Sequence, residues 1–331
     1  MPLSPLELLP AEILQEIFLL SPNLDLPLAS PHIASKLSTP HCYHAVCNHF
    51  LTSNLNDRPR QTRLQSRIFA LRWMTWSFFQ SHVTKTYARA GCLCGESGCA
   101  VPIWPPDFTN PLAMSANMGH LPQLSYIKCR IPAKLLHGPW TADKVQFLRF
   151  LVSTTSMTVD WADRSIRQLT LQGKKDAILS RNYDAVDLFN HNRRLGKPPT
   201  MEMVRFAVIE GGCDRTIVYD IMATARMWGY RYWEDSALDE WVQKAVEEGN
   251  PKGPWLRLKL KELRMMNGYM GVYTGDYTRD GDVLDVRHHR GSRIQYVRPR
   301  IWGHKFMNRN SSTYNRNQLR TPLLSDLIRV A

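Results

Sequence analysis

The sequence predicts a mostly α-helical protein, and three observations support that prediction. An apolar stripe with helical spacing lies near the amino terminus. Short helical segments, separated by Gly, Pro and Asp turns, then continue to about residue 250. No strand pattern alternates with them, so a parallel sheet is not expected. The 331 residues, 44% hydrophobic and 21% charged, suit a globular chain of about two domains.

The first elements follow from helix start and stop signals. Ser4-Pro5-Leu6-Glu7 has the spacing of a capping box, with Pro at the first helical position. A stronger helix follows Pro10, and its apolar half holds Leu9, Ile13, Leu14, Ile17, Phe18 and Leu20. Ser21-Pro22-Asn23 ends that helix. Three further helical segments are predicted: Leu26–Ser30, His32–Ser38, and one from Thr39-Pro40 to about Leu55.

A polar break at Asn56-Asp57-Arg58-Pro59 marks the first predicted domain boundary. One long helix is expected from Gln61 to about Ala88, followed by a Cys- and Pro-rich loop through residues 91–111. Six candidate helices come next: Ala142–Val152, Asp160–Leu171, Asp176–Asn190, Thr200–Glu210, Thr216–Met227 and Asp235–Glu248. The predicted domains are residues 1–55, 56–110, 111–250 and 251–331.

The last predicted region, residues 251–331, is basic and loosely ordered. Trp255–Met266 is expected as one more helix, and a hairpin is expected around Asp280-Gly281. The region holds sixteen Lys or Arg against six Asp or Glu, whereas residues 1–57 hold one against five. An acidic head and a basic tail indicate two surfaces with different partners.

The amino-terminal helices carry a short motif. Leu9-Pro10-Ala11-Glu12-Ile13-Leu14 opens it, and Ile17-Phe18 closes its first helix. Asp25-Leu26 forms the next turn, and Ala34-Ser35-Lys36 completes it. At these offsets the residues resemble the F-box, although Ala29–Ile33 departs from its commoner form. The resemblance covers the amino-terminal region alone and implies a three-helix F-box domain at residues 1–55.

The resemblance implies binding to Skp, the adaptor that joins F-box proteins to a cullin in a ubiquitin ligase. F-box domains contact Skp through the Leu and Pro at the start of the motif and through apolar helix positions. By position, the implied Skp-binding residues are Leu9, Pro10, Ile13, Leu14, Ile17, Leu26, Leu28 and Leu37. A domain this small also leaves apolar surface uncovered, which favours a partner. The alternative is an amphipathic helix that packs on its own protein.

Residues 111–250 carry traces of a second family. Asn110–Leu121 resembles the start of an ankyrin repeat, and Ala177–Val186 repeats part of it. Glu202–Gly212 resembles a repeat's second helix and Gly turn. Ala113 and Ala177 lie 64 residues apart, close to twice the ankyrin period of about 33. The resemblance implies stacked helices that offer a surface to a protein partner, and an unrelated helical domain is the alternative.

Cysteine and histidine residues give weak metal signals. A Gly-rich loop holds three candidate zinc ligands, Cys92, Cys94 and Cys99, and the fourth ligand would be Cys129 or His120. The alternative is that these cysteines are thiols without a metal. A second group lies in the third predicted F-box helix, where helical spacing scatters the side chains: His41, Cys42, His44, Cys47 and His49. We therefore expect no metal and no other cofactor.

The basic tail contains a patch with Tyr296 and Trp302 interleaved: Arg287, Arg290, Arg293, Arg298, Arg300 and Lys305. Such a patch suits nucleic acid, an acidic protein or a nuclear address. A solvated, flexible tail is the alternative.

The chain shows no P-loop, nucleophile elbow, His-Glu-x-x-His or other enzymatic motif, so we expect no catalytic activity. The F-box resemblance implies instead that the protein is an adaptor. Such an adaptor binds Skp and recruits an unidentified protein substrate to a Skp–cullin–F-box ubiquitin ligase. The alternatives are a Skp-bound protein without a ubiquitin role and a nucleic-acid-binding protein that acts through its basic tail. Seven cysteines, no secretory signal and no apolar run of about 18 residues predict a cytoplasmic and/or nuclear location and no membrane partner.

Overall fold

The computed structural model describes residues 3–20, 23–52, 57–87, 108, 124, 127–228 and 230–265, and the backbone of four short strands after them. Within these ranges, no helix is long and apolar enough to span a membrane. The chain divides into two compact units. Unit 1 comprises Met1–Pro132 and Thr154–Met157, and unit 2 comprises Ala133–Ser153 and Thr158–Ala331. The sequence placed its boundaries instead after residues 55, 110 and 250.

Unit 1 is built from short helices, as its described residues show. In chain order they are α1 (Pro5–Leu8), α2 (Ala11–Leu20), a 3-10 turn (Leu26–Leu28), α3 (Pro31–Leu37), α4 (Pro40–Cys47), a π-helical turn (Asn48–Thr52), α5 (Arg58–Ala70) and α6 (Trp76–Tyr87). Helix α2 packs on α3 and α4, and α5 packs on the π-helical turn.

Side-chain caps begin these helices at the positions that the sequence indicates. Ser4 accepts from the Glu7 amide while the Glu7 carboxylate accepts from the Ser4 amide, which completes the predicted capping box. Ser30 is extended, caps α3 through the His32 amide, and is followed by Pro31 at the first helical position. Pro31 therefore begins the helix where the sequence departs from the commoner F-box form. Thr39 and Asp57 cap α4 and α5 in the same way.

The corner between α1 and α2 is held by Lys36 of α3. Its ammonium donates to the carbonyl oxygens of Glu7 and Leu9, at 2.7 and 2.6 Å. From α2, the Gln15 amide donates to the Lys36 carbonyl at 2.7 Å. Carbonyl groups at a helix end lack intrahelical partners, so the Lys36 ammonium satisfies acceptors that are otherwise left to water. These three bonds fix α1, α2 and α3 relative to one another.

The single long helix predicted from Gln61 to about Ala88 is wrong, because α5 ends at Ala70 and α6 begins at Trp76. Leu71 is extended, and the Thr75 hydroxyl caps α6 by accepting from the Phe78 amide at 3.3 Å. The break lets the Trp73 ring stack on Tyr43 of α4, with ring centroids 4.3 Å apart. Tertiary packing of these aromatic rings therefore overrides the local helical pattern.

Unit 2 is also helical. After a 3-10 turn (Ala133–Leu135), its helices are α7 (Ala142–Thr154), α8 (Arg164–Leu179), α9 (Tyr183–His191), α10 (Met201–Ile209), α11 (Arg215–Met227), α12 (Ser236–Glu247) and α13 (Lys252–Met265). Six of these correspond to predicted helices, although α8 starts later and extends further than predicted. The seventh, α13, confirms the helix predicted at Trp255–Met266, although it begins at Lys252, and it buries Trp255, Leu256, Leu260 and Leu263.

Three pairs of consecutive helices form hairpins with the same turn: α8 with α9, α10 with α11, and α12 with α13. In each turn a buried alanine carbonyl accepts from a backbone amide five or six residues later: Ala177 from Asn182 at 2.9 Å, Ala207 from Cys213 at 3.1 Å, and Ala245 from Asn250 at 2.8 Å. Each turn also contains a residue with positive φ: Arg181, Gly212 and Gly249. The chain therefore reverses direction through the same type of turn in all three hairpins.

An Asn or Asp side chain caps the second helix of each hairpin. Asn182 accepts from the Ala185 amide, Asp214 from the Thr216 amide, and Asn250 from the Lys252 amide, each at 3.0 Å. The hairpins stack, because the first helices contact in the order α8, α10, α12 and the second helices α9 and α11 contact each other. Residues 202–212, predicted as a repeat's second helix and turn, instead belong to the first helix of the middle hairpin and its turn.

Four short strands follow helix α13. Thr278–Arg279 pairs with Asp282–Val283, and Val286–His289 pairs with Arg293–Tyr296, both antiparallel. The first pair flanks Asp280-Gly281, the position of the predicted hairpin. The rest of the predicted loose tail lies outside the described residues, as do residues 91–107 of the predicted loop and the trace at 110–121.

Helix α8 passes very close to the loop before α7 at Gly173. A Cβ atom at this position would lie 1.9 Å from the Leu136 carbonyl oxygen. The Trp140 indole donates to the Gly173 carbonyl at 2.9 Å, which holds the loop in place. Only glycine fits here.

Replacing Gly173 with alanine should destabilise unit 2. The overpacking should cost about 1–3 kcal/mol or more of unfolding free energy, which exceeds the gain of about 1 kcal/mol in helix propensity. Gly196→Ala is the matched control, because the nearest atom to a Cβ there is 3.9 Å away. Denaturant unfolding followed by circular dichroism measures both variants. Equal midpoints for the two would contradict the close approach at Gly173.

Candidate functional site

Helix α2 presents an apolar face to the solvent. Ile13, Ile17 and Leu20 lie at helical spacing on this face, with 44%, 41% and 82% of their surface exposed. The adjacent side of the helix is buried, with Leu14 and Phe18 at 0% and 3%. Other large apolar residues of unit 1 are also exposed: Leu3, Leu8 and Leu28. We define the exposed face of α2 as Ile13, Ile17 and Leu20.

The structure divides the implied Skp-binding residues into two groups. Leu14 and Leu37 are buried, so they support the core and offer no contact surface in this conformation. The other six retain exposed surface: Leu9, Pro10, Ile13, Ile17, Leu26 and Leu28. Leu3, Leu8 and Leu20 are exposed but were not among the implied residues. Leu20 was already on the apolar half of the predicted helix, so its position on the wheel was the signal.

The Glu7 carboxylate is part of the rigid corner beside this face. The Ser30 hydroxyl donates to it, and it also accepts from the Ser4 amide. These hydrogen bonds lower the pKa of Glu7 to about 2, so it stays ionised at all ordinary pH values. The segment that precedes α2 is thus held by polar contacts, and these contacts leave the apolar face of α2 uncovered.

The candidate zinc ligands are only partly described. Cys92, Cys94, Cys99 and His120 lie outside the described residues. Cys129 is buried, and its burial raises the pKa of the thiol to about 12. A zinc ligand is a thiolate, so this environment does not favour Cys129 as a metal ligand. In the basic tail, Arg287 and Arg293 lie in strands, and Arg290, Arg298, Arg300 and Lys305 lie outside the described residues.

A buried polar cluster joins the first two hairpins of unit 2. Asp187 and His191 of α9 and Asp220 of α11 are buried, with ligand atoms within 4.8 Å of one another. His191 Nε2 lies 2.8 Å from an Asp220 oxygen and 3.8 Å from an Asp187 oxygen. The Asn190 amide donates to the other Asp220 oxygen at 2.6 Å. The distances suit a cation as well as a hydrogen-bonded network.

Basic side chains already balance the charge of this cluster. An Arg149 guanidinium nitrogen lies 3.7 Å from an Asp187 oxygen. Lys174 of α8 is buried, and burial lowers its pKa to about 8 although Asp220 opposes that shift. Two carboxylates therefore face two cationic side chains, and we interpret the cluster as a structural network between hairpins.

Two histidines of unit 1 contact each other between α4 and α6. His44 Nδ1 lies 3.4 Å from His82 Nδ1, and the Lys85 ammonium lies 3.4 Å from His44 Nε2. His82 is buried, and its burial, with a smaller contribution from His44, lowers its pKa to about 4. His82 is therefore neutral in the folded protein at physiological pH.

Comparisons of the chain with models of protein families, with curated proteins and with solved structures found no match.

The lowered pKa of His82 predicts a loss of stability in mild acid. Between about pH 6.5 and pH 4 the unfolded chain binds a proton at His82 that the folded chain does not. As the pH is lowered from about 6.5 to 4, the free energy of unfolding should therefore decrease, by up to about 3 kcal/mol. The measurement is denaturant unfolding of the native protein and of His82→Gln at pH 7 and pH 4.5. The variant should lose less stability, and an identical pH dependence in the two proteins would refute the assignment.

Proposed function

We propose that unit 1 binds a Skp adaptor through the exposed face of α2, and that unit 2 holds a protein substrate for a Skp–cullin–F-box ubiquitin ligase. The observation that carries the first half is a helix with one apolar face buried and a second apolar face in solvent. Its residues follow the F-box pattern of the sequence. Other subunits then transfer the ubiquitin, and this chain holds the substrate in position for the transfer.

The exposed face supplies the driving force for such binding. Full burial of an Ile or Leu side chain is worth about 1.5–3 kcal/mol, so three partly exposed side chains contribute several kcal/mol before the costs of association. The spacing of Ile13, Ile17 and Leu20 suits insertion of the helix into an apolar groove of a partner. Leu8 and Leu28, both mostly exposed, extend the apolar surface available to that partner.

The face is also held ready for a partner. Lys36 fixes the corner of α1 and α2, and Leu14 and Phe18 fix the rotation of α2 about its axis. A preformed face loses little conformational entropy on binding, which favours affinity.

Stacked hairpins support the second half of the proposal. Repeated helical pairs with one turn type, as in ankyrin-like arrays, expose a row of first helices along one side. Leu171 and Leu179 of α8 and Ile209 of α10 are exposed apolar residues on such helices. A protein substrate bound there gains effective concentration and orientation at the ligase, which is the catalytic contribution of an adaptor.

Charged residues on the exposed face of α2 should abolish Skp binding. In the double variant Ile13→Asp with Ile17→Asp, complex formation would bury unpaired carboxylates, so the affinity should fall by at least about a hundredfold. The full chain is measured against purified Skp by calorimetry. Both side chains are partly exposed, so the variant should keep its helical circular dichroism spectrum.

Leu171→Asp with Leu179→Asp is the matched control, because it places two carboxylates on exposed apolar positions of one helix in unit 2. This control should bind Skp like the native protein. If the Ile13 and Ile17 variant keeps its affinity, or if the control loses affinity equally, the exposed face of α2 is not the Skp contact.

A further inference from the structure

A cleft in unit 1 lies between α4 and α6, apart from the exposed face of α2. It has a volume of about 390 Å³ and is lined by Pro40, His41, His44, Asn48, Lys85 and Thr86. None of these residues carries a carboxylate. Lys85 and His41 are exposed at the cleft, whereas His44 is partly buried. The cleft is therefore a concave surface with nitrogen and hydroxyl donors and a net positive charge.

The hydrogen bonds behind the cleft set the protonation of His44. An ammonium group only donates, so His44 Nε2 accepts from Lys85. A neutral imidazole carries one N–H, which places the proton of His44 on Nδ1 and directs it at His82 Nδ1. His44 is thus neutral beside an ammonium, and burial, then Lys85 and His41, lower its pKa. An anion beside His44 would favour a further proton on its ring.

The amino end of α4 favours an anion at the cleft as well. Of the six Lys and Arg residues in the segment 58–87, Lys85 is the one that lines the cleft, and Arg67 pairs with Asp25. Pro40 and His41 are the first two residues of α4, so the positive end of that helix lies at the cleft. The Lys85 ammonium and the amino end of α4 therefore act in the same direction at the cleft.

We propose that this cleft binds a tetrahedral dianion, the phosphate group, between Lys85, His41 and His44. The Lys85 ammonium supplies a point charge, the usual way in which lysine binds phosphate. When Lys85 turns to the anion, His44 Nε2 loses its donor and can take up a proton. The phosphate group can belong to a free anion or to a phosphorylated side chain of a protein, since both offer at least three terminal oxygens that accept hydrogen bonds.

The experiment uses the full chain and sodium sulfate, whose charge is constant above pH 5, titrated by calorimetry at pH 6 against sodium chloride of equal ionic strength. The native protein should show saturable binding of sulfate that chloride does not reproduce. Lys85→Gln should weaken it at least about tenfold, as expected for a charged hydrogen bond, and Lys85→Arg should largely retain it. Lys128→Gln, which removes an exposed lysine of unit 1 outside the cleft, should leave it unchanged.

Affinity for sulfate should also be severalfold weaker at pH 8 than at pH 6, because anion binding is coupled to protonation of His44 in the presence of His41, His82 and Lys85. The absence of saturable sulfate binding would overturn the proposal, as would an equal loss in Lys85→Gln and Lys128→Gln. Inorganic phosphate and a phosphoserine peptide then identify the source. Tighter binding of the peptide by at least about tenfold indicates a protein-borne phosphate, and equal binding indicates a free anion. Skp is not needed in any of these measurements.

Discussion

The amino-terminal helices depend on one constraint: α2 has ten residues, and its apolar half is too wide to be buried completely by α3 and α4. A helix this short is not stable alone in water, so it forms only when one side is buried. Leu14 and Phe18 provide that side, and α2 packs on α3 and α4. Their burial leaves Ile13, Ile17 and Leu20 in the solvent. The exposed face is thus a consequence of the way in which this part of the protein is stabilised.

Polar contacts around α2 give that face a defined orientation. The Lys36 ammonium and the Glu7 carboxylate bond to chain segments that apolar packing alone would leave free to move. Each bond contributes modestly to stability, but the directions of the bonds favour one packing of α1 and α3. Partner binding at the face of α2 and anion binding between α4 and α6 would then use different residues of one small scaffold.

In unit 2, local sequence determines the hairpin turns, and long-range contacts determine how the hairpins stack. Each hairpin turn is local: an alanine carbonyl, a residue with positive φ and an Asn or Asp cap reverse the chain within a few residues. Such turns do not determine which hairpins stack. The cluster of Lys174, Asp187, His191 and Asp220 joins the first two hairpins, and another register would leave its charges buried without partners. Buried charge without a partner costs several kcal/mol, so the network favours one register.

Caps and prolines act within four residues of the chain, so the helical class and most helix starts could be predicted from the sequence. Ser4, Pro31, Thr39 and Asp57 illustrate this, since each acts through its own neighbours. The break before Trp76 was not predicted, although the Thr75 cap was present in the sequence. The apolar pattern continued through it, and only the stacking of Trp73 on Tyr43 shows why the helix ends.

Within the candidate site, the sequence determined which residues of α2 are apolar, and the tertiary structure decided which of them face outward. Ile13 and Leu14 are neighbours of similar hydrophobicity, so no local signal separates them. Packing against α3 and α4 buries one and leaves the other exposed. The cleft between α4 and α6 likewise requires side chains about 40 residues apart, such as His44 and Lys85, to meet. Contacts between residues so far apart in the chain form only after the helices have packed, so no local sequence pattern predicts them.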